Sequence, residues 1–322
     1  MTPDLQTMRD ARERLSRYFP VTRLVDARSL SAATGARVQL KLESDLPTGS
    51  FKVRGALYAL LVTLSRRPVR RVIASSTGNH GAAVAYAAQL LGIPATIFLP
   101  AGCNPVKRGR IASLGADIVD QGADLAAAWR LAAEAEGTIA DAFFLNDATD
   151  PDLPAGPGVI GMEILAQHPD VDTVIVPMGD TALIRGVGAA VKQIKPAVRV
   201  IGVQAERAPS YYLSWTSGKA VETDTCDTIA DGLATRTPVD ANVHAIRALV
   251  DGVVLVSEHD MLSAIATLLF DEHVVAEPAG AAATAALLTH ASDMNLGRHI
   301  VALVTGHNIA PDVLRRAARM QD

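Results

Sequence analysis

Short runs of β-branched and aliphatic residues alternate with alanine- and leucine-rich stretches along almost the whole of this chain. The runs Val38–Leu42, Val72–Ala74, Ala95–Leu99, Asp117–Val119, Thr173–Val176, Arg199–Val203, Val253–Val256 and Ile300–Val304 read as strands. Between them Gly81–Leu91, Leu125–Glu136, Leu183–Ile194, Met261–Phe270 and Ala281–Leu288 read as helices. Strands that alternate with helices pair in parallel, because each crossover lays its helix on a face of the sheet. The pattern predicts an α/β fold of two open, twisted, parallel-type sheets with helices on both faces. A compact βαβαβα unit from Arg71 to Leu145 reads as a small lobe inserted into a larger one. The Pro- and Gly-rich segment Asp150–Gly161 reads as the path back. The expected division is residues 71–148 for the small lobe, and 1–70 with 149–322 for the large one. A cleft between two such lobes, at the carboxyl ends of strands, is where ligands bind in open α/β sheets.

Composition narrows the partners. With 322 residues, 49% hydrophobic and 20% charged, the chain has ample material for a large core. A formal net charge of −4 gives no case for nucleic acid or an acidic membrane as partner. Two cysteines, Cys103 and Cys226, make no disulfide framework and suit a reducing compartment. Met1 to Arg17 is charged and lacks the apolar core of a secretory signal. No apolar run approaches the roughly 18 residues of a spanning helix. The expectation is a soluble, cytoplasmic protein that acts on a small molecule.

Five polar segments carry the chemistry. In Pro47-Thr48-Gly49-Ser50-Phe51-Lys52-Val53-Arg54-Gly55 a lysine stands just before a helix, beside one aromatic. An amine shielded there would have its charged form disfavoured and its pKa lowered, which suits Schiff-base chemistry. The alternative is an exposed lysine at a helix start. After the strand Val72–Ala74 comes Ser75-Ser76-Thr77-Gly78-Asn79-His80-Gly81, whose hydroxyls and free helix N–H groups could hold a carboxylate, or could simply be a cap. Val176-Pro177-Met178-Gly179-Asp180-Thr181-Ala182-Leu183 repeats the strand-to-helix design, with Asp180 arguing against an anion. The strand Ile300–Val304 delivers Thr305-Gly306-His307-Asn308 to its carboxyl edge, and Glu277-Pro278-Ala279-Gly280 opens a small-residue helix. The histidines show no metal-ligand spacing, and no metal is expected.

Together these segments resemble the pyridoxal-phosphate enzymes of the tryptophan-synthase-β type (fold type II), and within them the serine/threonine dehydratase and serine racemase group. The resemblance covers nearly the whole chain, through Lys41-Leu42-Glu43, Ser50–Gly55, Ser76–His80, Ile229-Ala230-Asp231-Gly232, Glu277–Gly280 and Thr305–Asn308. It implies pyridoxal 5′-phosphate as cofactor, joined as a Schiff base to Lys52, which also serves as the base. It implies Phe51 and Gly232 on the two faces of the ring, and Asn79 on its 3′-oxygen. Ser76, Thr77, Asn79 and His80 would lie around the substrate carboxylate. Gly179, Asp180, Thr181, Ala182 and Leu183 would hold the phosphate, Thr305 would face the ring nitrogen, and Glu277 belongs to the cofactor-binding set.

A threonine at the ring nitrogen supplies no full charge, so prompt loss of a β-leaving group is the expected outcome. The implied reaction removes water from a β-hydroxy amino acid of the L-threonine or L-serine type, giving a 2-oxo acid and ammonia. Where the dehydratases carry a run of glycines in the phosphate loop, this chain has Gly179-Asp180-Thr181-Ala182. Asp180 is expected to point outward, capping the next helix or meeting Arg185. The cation-binding positions of the racemases read Gln204, Ala208 and Ser210 here. Thr77 stands where a racemase keeps its second acid/base, so a racemase remains an alternative. So do a threonine-synthase-like enzyme and a catalytically silent amino-acid or cofactor binder. Val53 favours the dehydratases over threonine synthases, which carry an acid there. No regulatory domain is expected after the Thr305 motif, and a homodimer or higher homo-oligomer is.

Overall fold

The structure, a computed structural model, describes residues 2–321. Its larger sheet has six strands in the spatial order β1 (Leu24–Asp26), β2 (Arg37–Leu42), β10 (His299–Val304), β7 (Thr173–Pro177), β8 (Arg199–Ala205) and β9 (Gly252–Val256). Only the edge strand β1 is antiparallel to its neighbour; every other pairing is parallel. The smaller sheet is wholly parallel, in the order β5 (Asp117–Asp120), β4 (Ala95–Leu99), β3 (Arg71–Ser75) and β6 (Ala142–Phe144). The chain leaves the first sheet after β2, builds the second, and returns at β7.

Alternation along β10 shows why the large sheet needs helices on both faces. Val301 and Leu303 enter a core shared with α1 (Leu5–Leu15), α3 (Lys52–Arg66), α7 (Ala155–Gln167) and α8 (Ala182–Ile194). Ile300, Ala302 and Val304 point the other way, into a core shared with α11 (Glu258–Phe270) and α12 (Pro278–His290). All five are fully buried, and side chains of the larger kind stabilise by about 1.5–3 kcal/mol each relative to exposure. No described helix is long and apolar enough to cross a membrane.

Several expectations need correction. The sequence reading missed β1 and β6, each three residues long and too short to show periodicity; the small sheet therefore has four strands rather than three. Asp150–Gly161 is largely helix: α7 starts at Ala155 and runs through Gly156, Pro157, Gly158 and Gly161. Those glycines are there for close packing. A Cβ on Gly156 would come within 2.5 Å of the Arg54 backbone, and one on Gly161 within 2.8 Å of the Val187 carbonyl. Pro157 falls in the first turn, where its missing N–H has no helical acceptor to lose. The helix α4 (Asn79–Leu90) begins two residues earlier than expected. In α11 the extra first turn is held by a capping box between Ser257 and Asp260.

Candidate active site

Lys52 is the first residue of α3, and the preceding loop is tied to the carboxyl end of β10. Gly49 has φ +62°, and a Cβ there would run into the His307 ring, so only glycine fits this close approach. Ser50 forms an antiparallel bridge with Gly306. The Phe51 N–H donates to the Thr305 carbonyl at 3.1 Å, and the His307 N–H to the Gly49 carbonyl at 3.0 Å. Thus the lysine and the Thr305 turn, far apart in sequence, share one short ladder.

Beneath Lys52, the same helix is held by buried charges. Arg54 donates to both carboxylate oxygens of Glu43 (2.8 and 3.0 Å) and of Glu163 on α7 (2.7 and 2.9 Å). Lys41 on β2 donates to Glu163 at 2.6 Å, to the Thr22 carbonyl at 2.9 Å and to Gln167 at 2.9 Å. Burial alone would lower the Lys41 pKa, and it does so despite the two glutamates. Burial also disfavours the Arg54 charge, but Glu43 and Glu163 outweigh it and raise its pKa above the usual arginine range. Lys41-Leu42-Glu43 and Arg54 therefore serve to fix α3 on β2 and α7.

Lys52 itself is not a free amine. Its Nζ lies 2.5 Å from Asp147 Oδ2 and 5.7 Å from the centre of the Phe51 ring. Burial lowers its pKa, as expected, but attraction to Asp147, Asp180 and Glu277 is larger in sum and raises it. The expected depression is thus reversed. Burial pushes the Asp147 carboxyl up, yet His80 and Lys52 hold it well below the usual carboxylate range.

The turn after β3 brings the second group of residues to the same edge. Asn79 Nδ2 donates to Glu277 Oε1 at 2.6 Å, and Asn79 Oδ1 accepts from Asn308 Nδ2 at 2.7 Å. Burial lifts the Glu277 pKa to about 7, against the lowering effects of Asn79 and Arg110. Ser76 Oγ accepts from the Gly78 N–H at 3.2 Å, and Thr77 sits half-buried in the same turn. His80 is buried on α4: its Nε2 is 2.9 Å from the Leu145 carbonyl, and its Nδ1 lies 3.8 Å from Asp147. The carbonyl can only accept, so Nε2 carries the hydrogen and the Nδ1 edge faces Asp147.

On the strand β7 side, Gly179 packs on the turn that carries Gly232. A Cβ on Gly179 would collide with the Gly232 carbonyl oxygen, and one on Gly232 would lie 3.0 Å from Ala279. Thr181, in a left-handed conformation, takes the cap position of α8 without a side-chain bond to a helix N–H, and Ala182 and Leu183 open it. Asp180 does not cap the helix as expected and does not turn away from the site. Its carboxylate accepts from Thr235 at 3.0 Å, and burial together with Asp147 raises its pKa while Lys52 lowers it. Arg185, buried on α8, donates to Thr181 Oγ1 at 3.1 Å and feels the Asp180 charge. Thr305 is buried with its hydroxyl 3.4 Å from the Ala279 carbonyl.

Gln204 and Ser210 are occupied elsewhere: Gln204 accepts from the Tyr212 N–H at 2.8 Å and Ser210 donates to the Thr235 carbonyl at 2.6 Å. Among the described residues no group of three or more His, Cys, Asp or Glu could hold a metal ion. Two residues of the site escaped the sequence reading, Asp147 and Thr235. Neither lies in a motif, and Asp147 follows the short strand β6 that was itself missed.

A phosphorylated carbonyl cofactor fits these residues. The first N–H groups of α8 have no acceptor within the helix, as an anion-binding helix start requires. The Gly179–Gly232 contact leaves no room for side chains, and the buried hydroxyls of Ser50 and Ser75 have no hydrogen-bond partner among the described residues. The Lys52 amine, in the field of carboxylates from three separate turns, stands on a fold type II frame. Residues 15–306 match the model of the pyridoxal-phosphate dependent enzymes, and the chain belongs to that family. It is 38% identical over 313 residues to an L-threonine ammonia-lyase of Thermotoga maritima, covering 97% of this chain and 77% of the relative. It is 35% identical to the catabolic L-threonine dehydratase TdcB of Escherichia coli K12, covering 93% and 91%. Among solved structures, maize serine racemase superposes with a TM-score of 0.92 at 28% identity, covering 100% and 98% of the two chains. A T.th. threonine deaminase gives 0.88 at 33% identity, covering 96% and 99%.

Proposed function

We propose that this protein is a pyridoxal-phosphate-dependent ammonia-lyase that removes water from a β-hydroxy amino acid of the L-threonine or L-serine type. The products are a 2-oxo acid and ammonia. The observation that carries the reading is the convergence on Lys52 of three strand ends: Thr305 through the Phe51 ladder, Asn79 through Asn308 and Glu277, and the α8 loop through Asp180. The relatives named for L-threonine support the substrate.

When bound, pyridoxal phosphate supplies an electron sink that acidifies the substrate Cα–H. Lys52 would be its covalent anchor, and the freed Nζ would take the Cα proton. Gly179 to Leu183 would hold its phosphate at the α8 N-terminus, with Phe51 and Gly232 bordering the ring. Asn79 is fixed by Glu277 and Asn308, so its amide is positioned without an entropic cost at the moment of binding. Ser76 and Thr77, in the turn before α4, would orient the substrate carboxylate, whereas the His80 Nε2 is turned inward to the Leu145 carbonyl. The Thr305 hydroxyl gives the ring nitrogen no full charge, which favours expulsion of the β-hydroxyl over a long-lived carbanion.

Residues 71–148 would form the lobe that receives the carboxylate, and 1–70 with 149–322 the lobe that holds the cofactor. A homodimer in the cytoplasm completes the reading, its stoichiometry open to sedimentation equilibrium. The central test is simple. Protein supplied with pyridoxal phosphate should show a visible absorption band that Lys52→Ala removes, and should release ammonia and 2-oxobutanoate from L-threonine. A protein that stays colourless, or that only interconverts L- and D-serine, overturns the lyase assignment.

A further inference from the structure

The acidic partner of Lys52 belongs to no motif, yet the chain places it with care. Asp147 follows β6 in a turn that is pinned on both sides. Asn146 Oδ1 accepts from the Ala148 N–H at 2.9 Å, and the Asn146 carbonyl accepts from the Asp150 N–H at 2.9 Å. The Ala148 carbonyl accepts from Asn242 at 3.0 Å and from Arg185 at 3.4 Å. One residue before the turn, the Leu145 carbonyl holds His80 so that its other ring nitrogen faces Asp147. The carboxylate that results has 18% of its side chain exposed and lies 2.5 Å from Lys52 Nζ. A surface ion pair would not be built on three anchored neighbours.

We propose that Asp147 is a further catalytic residue: its carboxylate grips Nζ of Lys52 and keeps the ε-ammonium in place whenever the lysine carries a proton. His80 Nδ1 lies 3.8 Å from the same carboxylate and makes no hydrogen bond to it. The inference rests on the lyase reading for the step it serves. In that step the C–H bond at Cα breaks, its pair stays on carbon, and the proton joins Nζ to make the ammonium. Asp147 does not take that proton. It lowers the energy of the ammonium that has formed, so the proton is retained within the site rather than returned at once to Cα. The groups facing Lys52 are Asp147 after β6, Asp180 after β7 and Glu277 before α12, with His80 of α4 behind Asp147. Of these only Asp147 makes a direct bond to Nζ, so its removal should dominate any change in the lysine.

The test reads Lys52 itself. The full chain, freed of cofactor, is reductively methylated with formaldehyde and cyanoborohydride between pH 8 and 12, a range that brackets the raised Lys52 pKa, and Lys52 is quantified by mass spectrometry. Asp147→Asn should move the labelling midpoint down by about one unit or more, a roughly tenfold gain in labelling at pH 8. Asp147→Glu should restore most of the shift, and Asp152→Asn, at the half-exposed pair with Arg66, should leave it unchanged. In the holoenzyme Asp147→Asn should lower kcat for L-threonine by about 100-fold, within the range of general acid–base effects, with KM changed far less. A merely structural ion pair would lower the melting temperature and shift the midpoint but leave kcat of the folded holoenzyme where it was. An unchanged or raised midpoint in folded Asp147→Asn overturns the proposal. A lowered midpoint in Asp147→Asn, where the wild-type holoenzyme itself gives no 2-oxo acid, instead overturns the lyase reading and keeps the ion pair.

Discussion

Replacing Glu163 by glutamine should destabilise this protein in a way that fades as pH rises. The buried cluster holds Lys41 and Arg54 against Glu43 and Glu163, so its formal charge is zero. Glu163→Gln keeps the shape but leaves one buried positive charge in excess. Breaking a buried pair in this manner typically costs about 3–5 kcal/mol. An independent bound agrees. The least costly escape is for Lys41 to lose its proton, since Arg54 cannot. With an unfolded-state pKa of about 10.4 and 1.36 kcal/mol per unit, that costs about 4.6 kcal/mol at pH 7 and about 1.2 kcal/mol at pH 9.5. In urea, with a slope of at least about 3 kcal/mol/M for a chain of this size, the midpoint should fall by about 1.5 M at pH 7. At pH 9.5 it should fall by about 0.4 M relative to wild type at the same pH, by the same slope. The compensated variant Lys41→Met with Glu163→Gln retains the Arg54–Glu43 fork and should lie within about 2 kcal/mol of wild type. The assay is urea unfolding of the cofactor-free chain, followed by far-UV circular dichroism at both pH values. A loss at pH 7 below about 1 kcal/mol would place the pair in the range of exposed salt bridges and refute the reasoning. So would a loss that is equal at both pH values.

Other perturbations probe the site. Gly179→Ala drives a methyl against the Gly232 carbonyl and should cost about 1–3 kcal/mol of stability, read by thermal melting, while weakening cofactor capture. Asp180→Asn removes a carboxylate from the loop that receives the phosphate. Cofactor affinity measured by fluorescence titration should tighten by about tenfold, or 1.4 kcal/mol; weaker binding would show that the Asp180 carboxylate does not oppose the phosphate. Glu277, with its pKa lifted from 4.5 to about 7, contributes stability at low pH that is lost as pH rises through that window. Glu277→Gln should therefore flatten the decline of the melting temperature between pH 4.5 and 7; an unaltered decline would assign it to other groups.

Much of this protein was legible in its residues. Strands such as Ala95–Leu99, found with the expected bounds, announce themselves because burial on both faces demands a continuous apolar run. Lys52 and the Asn79 turn were legible because a helix start and a tight polar turn are local events, set by neighbours in the chain. Chemistry written in single motifs, with the Gly179 loop and Thr305, led to the family that the comparison confirmed. What was misread shares one cause. Gly156 and Gly161 look like helix breakers until α3 and α8 are seen to press against them. Asp180 was expected to point outward as a cap or to meet Arg185; its hydrogen-bond partner is Thr235, on a separate segment. The largest omission was Asp147, which meets Lys52 across 95 residues of sequence. Only the pairing of β6 with β3 carries it there, and a three-residue strand leaves no period to detect. The sequence alone determined that a lysine stands at the start of α3 and where most strands and helices would form. Tertiary structure alone decided how that amine is charged, because the field at Lys52 is the sum of carboxylates from three separate turns, and no local pattern encodes their meeting.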